Sequence, residues 1–261
     1  MNDPSRVPPR RYEGEWQSGY RHGKGTQTWA ATSESYEGMW HEDCRNGRGR
    51  FVSRTGAIYV GEWVMNRKEG RGTLSDADRS VYEGKFRGDN RHGRGTLLCV
   101  SGMCYHGEWA NDVKQGMGHL VLPDGSEYEG EFLADLQHGH GCLKVGNLTY
   151  TGNFKEGVIH GKGLQTREGG GAYEGEWADG QRHGYGHHRA SDGSEYKGMY
   201  QDDQRWGRGS LVMADGTKYD GMFQRGLRHG KGRCFSPCPH SGLRRDVRPK
   251  SENPGPSTSS A

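Results

Sequence analysis

The chain has 261 residues, of which only 30% are hydrophobic and 46 are glycine, and its mean hydropathy is −1.05. That is too little Leu, Ile and Val for a compact globule of this length, and no apolar run approaches the roughly 20 residues of a membrane-crossing helix. The net charge of +3 divides into +2 for residues 1–11, +3 for residues 233–261 and −2 between them. The central surface is thus close to neutral, which argues against nucleic-acid binding.

Residues 1–11 hold three Pro and three Arg with no apolar stretch of the kind a secretory signal needs, so a flexible N-terminal segment is expected. From Tyr12 onward one frame repeats: Tyr-x-Gly-x-aromatic, six residues, then Gly-x-Gly. Its ten copies start at Tyr12, Tyr36, Tyr59, Tyr82, Tyr105, Tyr128, Tyr150, Tyr173, Tyr196 and Tyr219, spaced 22 to 24 residues apart. A period of that size signals a linear array. Counting each Tyr as position 1, positions 3, 12 and 14 are Gly in every copy, and position 5 is always aromatic. Position 8 is always Gly, Asp or Asn, the residues that accept positive φ in tight turns.

Each frame reads as a β-hairpin. Tyr, Gly and the second aromatic at positions 1, 3 and 5 share one face of the first strand. A two-residue turn at positions 8 and 9 sets position 5 opposite 12, 3 opposite 14 and 1 opposite 16, so the position-5 aromatic covers a cross-strand Gly. Positions 2, 4 and 13 fall on the other face, where pairs such as Glu15–Lys24 and Glu62–Arg71 sit opposite each other. Three-residue links such as Pro123-Asp124-Gly125 and Ala214-Asp215-Gly216 join successive hairpins, and variation in spacing is absorbed there. After Gly232 the frame stops, and residues 233–261, rich in Pro, Ser and basic residues, read as an edge segment and a disordered tail.

With three fixed glycines in each of ten copies, the chain resembles the MORN repeat family from Tyr12 to Gly232. The resemblance implies an all-β fold, an elongated single-layer antiparallel sheet of about ten tandem hairpins. At about 4.8 Å per strand it would be on the order of 100 Å long. It also implies a non-catalytic scaffold. Proteins built almost wholly of such repeats include radial spoke heads, other ciliary and sperm-tail parts, and cortical scaffolds of protists. A cytoplasmic, cytoskeletal or ciliary setting follows as an expectation. In other relatives the repeats precede methyltransferase or phosphoinositide kinase domains, but only 29 residues follow the tenth copy here.

Two sets of residues are candidates for recognition. The spine aromatics, among them Tyr59, Trp63, Tyr82, Trp109, Tyr128, Trp177 and Tyr196, form a face on which a partner helix, an extended strand or another copy could dock. The second set is a ladder of cations at position 10: Arg21, Arg45, Lys68, Arg91, Lys114, Arg182, Arg205 and Arg228. It is the candidate contact for an acidic partner, or for anionic lipid in the competing reading of a peripheral membrane tether, the use junctophilins make of such repeats. Acidic residues two positions away, such as Asp43 and Asp89, offset it.

No catalytic, metal or cofactor site is expected. Histidine recurs at position 11 in six copies, but equivalent residues two strands apart stand roughly 9–10 Å from each other, too far to share a metal. The six cysteines occupy unrelated frame positions and read as reduced thiols, and Cys234-x3-Cys238-x-His240 lacks an evident fourth ligand. The Gly-x-Gly pairs match neither a dinucleotide nor a P-loop pattern, and no nucleophile elbow or zinc-protease motif is present.

Overall fold

The computed structural model describes residues 10–237. They form twenty strands, numbered in chain order from β1 (Arg10–Gln17) and β2 (Tyr20–Trp29) to β19 (Lys218–Gln224) and β20 (Leu227–Phe235). Every strand pairs antiparallel with its sequence neighbours, giving one open sheet of ten hairpins, with β1 and β20 as its edges among the described residues. The flexible segment expected at residues 1–11 and the tail expected at 233–261 lie outside the described residues except for Arg10, Arg11 and Arg233 to Pro237.

The sixth hairpin, β11 (Glu127–Leu133) and β12 (Leu136–Val145), shows how the frame specifies its fold. Tyr128 faces Leu143 and Gly130 faces Gly141, the pairings expected for positions 1 with 16 and 3 with 14. The turn, however, lies one residue earlier than expected. Ala134 and Asp135, positions 7 and 8, both have positive φ (50° and 69°), the signature of a type I′ turn whose twist matches the strands. Phe132 therefore faces Gln137 within its own hairpin, not Gly139. Gly139 is the residue that reconciles the two halves. Its φ of 56° makes a bulge, and it faces Phe154 on β13 (Leu148–Lys155) of the next hairpin.

The glycines of one frame thus answer two different demands. Position 12 needs the left-handed conformation, whereas positions 3 and 14 need absence of a side chain. A Cβ on Gly130 would come within 2.5 Å of the Gly141 Cα, and one on Gly141 within 2.6 Å of the Tyr128 ring. The ring that covers bare backbone is therefore the position-1 Tyr on the same hairpin, rather than the position-5 aromatic. Position 4 also differs from expectation. Its carboxylate does not pair with the position-13 side chain of its hairpin; it accepts from the backbone of the bulge. Glu131 Oε1 takes the His140 amide at 2.9 Å, and Glu15 and Glu62 do the same for Lys24 and Arg71. The position-13 side chain faces position 4 of the following hairpin, as Arg48 faces Glu62.

Most links are short loops with a left-handed Gly, as read from sequence, although Ser33 and Arg79 take that conformation in the first and third links. Gly125, at φ +83°, donates to the Leu122 carbonyl, the Leu122 amide donates to Ser126, and Asp124 accepts from the Ser126 amide. Leu120 and Tyr128 face each other across it. The copy with 22-residue spacing uses a two-residue link, Gly146 and Asn147.

Candidate docking surfaces

The aromatic face is a continuous zipper. Each Tyr but the last, Tyr219, meets the position-5 ring of its own hairpin and that of the next edge-on, as Tyr128 meets Phe132 at 5.1 Å and Phe154 at 5.0 Å. Such edge-to-face contacts add about 0.5–1.5 kcal/mol per pair beyond burial. Each Tyr hydroxyl donates to the carbonyl at position 4, from Tyr12 to Glu15 at 3.0 Å through Tyr219 to Met222 at 3.1 Å. Four position-5 indoles reach back instead: Trp40, Trp63, Trp109 and Trp177 donate to the position-14 carbonyls of Gly25, Gly49, Gly95 and Gly163. Burial pushes the phenol pKa values of Tyr36, Tyr82, Tyr105, Tyr128, Tyr150 and Tyr196 up to about 12.

The predicted docking aromatics lie in this zipper. Tyr59, Trp63, Tyr82, Trp109, Tyr128, Trp177 and Tyr196 are all buried, none more than 5% exposed. They are the core of the array, and their rings are turned toward each other rather than outward.

The cation ladder closes the same face. Arg91 stacks 5.8 Å from the Tyr82 centroid and 4.3 Å from that of Trp109 in the next hairpin. Arg21, Arg45, Lys68, Arg182 and Arg205 bridge two rings in the same way, and Lys114 and Arg228 lie over their own Tyr. The acid that offsets Arg21, Lys68, Arg91, Lys114 and Arg182 is position 8 of the following repeat. Arg91 N and Nε donate to Asp112 Oδ1 at 2.9 and 3.0 Å while the Asp112 amide donates back to the Arg91 carbonyl. Arg21 with Asp43, Lys114 with Asp135 and Arg182 with Asp203 repeat the clamp, and Asn66 replaces the acid opposite Arg45. The Arg21 guanidinium, donating to it, holds the Asp43 carboxyl below the usual carboxylate range. The ladder therefore joins repeats as well as bordering them.

The opposite face is mostly charged, and the position-11 histidines lie on it, as His138 does opposite Glu131. Repeats eight to ten depart from that character. Tyr185 faces Met199, Met199 faces Trp206, and Met222 lies opposite Arg208. These apolar side chains are exposed: Tyr185 by 56% and Met199 and Met222 by 41% each. With Phe235 they line a groove of about 1280 Å³ rimmed by Lys197, Arg208, Lys231 and Arg233, with Asp220 as its acid. Sequence reading passed over this patch, although apolar residues at the normally charged positions 4 and 13 of three successive copies were a visible signal.

Among the described residues, no group of three or more His, Cys, Asp or Glu side chains is placed to hold a metal ion. Cys44, Cys99, Cys104, Cys142 and Cys234 are free thiols, while Cys238 and His240 lie outside the described residues.

An open array in which each hairpin packs on the next defines a repeat-built interaction module. The MORN repeat matches residues 12–31, 36–58, 59–81, 82–104, 105–127, 128–144, 150–172, 173–195, 196–218 and 219–237, well over half the chain. The protein belongs to the MORN repeat family, whose repeats are non-catalytic binding modules. No curated protein matches the sequence. Among solved structures, the TCP10 domain of Danio rerio CPAP in complex with a STIL peptide is similar at 9% identity and a TM-score of 0.45, over 80% of this chain and 93% of that one. The TCP domain of Drosophila melanogaster SAS-4, in complex with a proline-rich motif of Ana2, is similar at 11% identity and a TM-score of 0.37, over 66% and 93%.

Proposed function

We propose that the protein is a non-catalytic scaffold that docks an acidic, amphipathic segment of a protein partner on the outer face of repeats eight to ten. The observation that carries this reading is the exposed Tyr185–Met199–Trp206–Met222 strip beside Lys197 and Arg208. Exposed apolar surface bordered mainly by cations is the character of a recognition site, and methionine adapts its shape to what it meets. A cytoplasmic site in a ciliary, flagellar or other cytoskeletal assembly rests on the resemblance to proteins made of these repeats. Anionic lipid suits the position-10 ladder less well, because most of its cations already stack on rings and pair with position-8 groups.

The test is the location of tagged full-length protein in ciliated cells before and after detergent extraction. Retention on axoneme or basal body is expected, with Met199→Glu/Met222→Glu releasing it. A protein lost with the membrane fraction would overturn the scaffold in favour of the tether. Retention unaffected by the double substitution would remove the groove as its docking site.

A further inference from the structure

We propose that the array extends itself head to tail, with β20 of one copy pairing with β1 of the next in the register that joins its own repeats. The two edges are halves of one internal junction. At each of the nine internal junctions, position 12 of one repeat faces position 5 of the next, 13 faces 4, 14 faces 3, 15 faces 2 and 16 faces 1, as β12 faces β13. Applied between copies, that register sets Gly230 opposite Trp16, Lys231 opposite Glu15, Gly232 opposite Gly14, Arg233 opposite Glu13 and Cys234 opposite Tyr12.

Three features of the edges fit this partner. First, Trp16 is the one position-5 ring left open, 60% exposed where Trp40 and Trp63 are 3% and 2%. Those rings are covered by the preceding repeat's cation and hydrogen bonded to its position-14 carbonyl, and β1 has no preceding repeat among the described residues. Arg228 and the Gly232 carbonyl are the corresponding groups at the other edge. Arg228 lies over Tyr219 at 5.0 Å and has no following indole to bridge to. Second, Gly19 occupies the turn position from which Gly157, Gly180 and Gly226 each donate to the carbonyl at position 10 of the repeat before them, so its amide is placed for Arg228.

Third, the charges match across the gap better than anywhere inside the chain. Arg233 with Glu13 and Lys231 with Glu15 are both opposite pairs. Each internal junction has at most one at these two places: Arg48–Glu62 is accompanied by Arg50–Val60, Arg94–Glu108 by Thr96–His106, and Lys162–Glu176 by Leu164–Glu174. The chain leaving β20 also turns away from the free edge, since Pro237 sits beside Gly216 in the link before β19. Sheet edges pair readily unless blocked, and a contact between two different surfaces that does not close on itself grows into a filament.

The test is sedimentation of the full-length chain over a concentration series with negative-stain microscopy. Mass rising with concentration beyond a dimer, and rods lengthening in whole units of the monomer, are expected. Glu13 and Arg233 are exposed, so Arg233→Glu and Glu13→Arg should each remain folded and each cut assembly at least tenfold. The double variant Glu13→Arg/Arg233→Glu should restore it, and so should an equimolar mixture of the two single variants. A mass that stays at one chain, growth that stops at a dimer, or single variants that assemble like the parent would each overturn the proposal. A monomer still retained through Met199 and Met222 would leave the proposed function standing and remove only this inference.

Discussion

Replacing Gly141 by Ala tests the reasoning about close approach most directly. The new Cβ would stand 2.5–2.6 Å from Oη, Cε2 and Cζ of Tyr128, where contact at 3.4–4 Å is ordinary. The ring would have to retreat by nearly an ångström, yet it is wedged edge-on between Phe132 and Phe154, is 1% exposed, and is tied through its hydroxyl to the Glu131 carbonyl at 2.9 Å. Overpacking of that kind costs about 1–3 kcal/mol. The matched control is Gly125→Ala. Its backbone, unlike that of Gly141, is left-handed, at φ +83°, and nothing lies within 4 Å of the added atom, so only the conformational cost of about 1 kcal/mol applies. Because the sixth repeat is central and stability sums over neighbours, Gly141→Ala should also split the unfolding of the two flanking blocks. Urea unfolding followed by circular dichroism and Trp fluorescence reads both effects. A Gly141→Ala shift no larger than that of Gly125→Ala, with a single sharp transition, would refute the account of the Tyr–Gly contact.

Two further outcomes follow from the zipper and the clamp. Six phenols are held near 12 in the folded chain against an ordinary 10.0, so folding favours their neutral form. That contribution is complete below pH 10 and is lost as pH climbs from 10 toward 12. Tyrosinate absorbance and loss of sheet signal should therefore rise together in an alkaline titration, and phenols ionising near pH 10 with the sheet intact would contradict it. Asp112→Ala should cost about 2 kcal/mol, from an Ala forced to φ +70° and an Arg91 amide left without its acceptor. Asp112→Asn should stay within about 0.5 kcal/mol, since Asn suits the turn and Asn66 already accepts from Arg45 at 2.8 Å. Thermal unfolding of the two variants distinguishes them.

The face each aromatic takes, the 1-to-16 and 3-to-14 pairings and the three-residue links were legible because period and turn chemistry both point to them. The turn itself was displaced by one because position 7 carries residues such as Met65, Ala134 and Arg225, which give no hint of positive φ. Gly139 was misread for a related reason. A glycine needed for its backbone and one needed for its missing side chain are the same letter. The clamp was hidden by distance in sequence. Acids two residues from some of the cations were seen, but the one that binds Arg21 is Asp43, 22 residues on. The aromatics were rightly set on one face, and what sequence could not say is that they and the ladder would be consumed in holding each other.

That mutual consumption gives the sheet a grammar with an arrow. Every repeat after the first takes a carbonyl, and at most junctions a cation, from the one before it, so the copies are near-interchangeable words in a sentence that reads in one direction. Cutting from one frame's Tyr to the next removes a whole word and leaves its neighbours with equivalent partners. A gene for such a chain can change the reach of its product in fixed increments, by duplication or loss of a frame, without composing a new core each time.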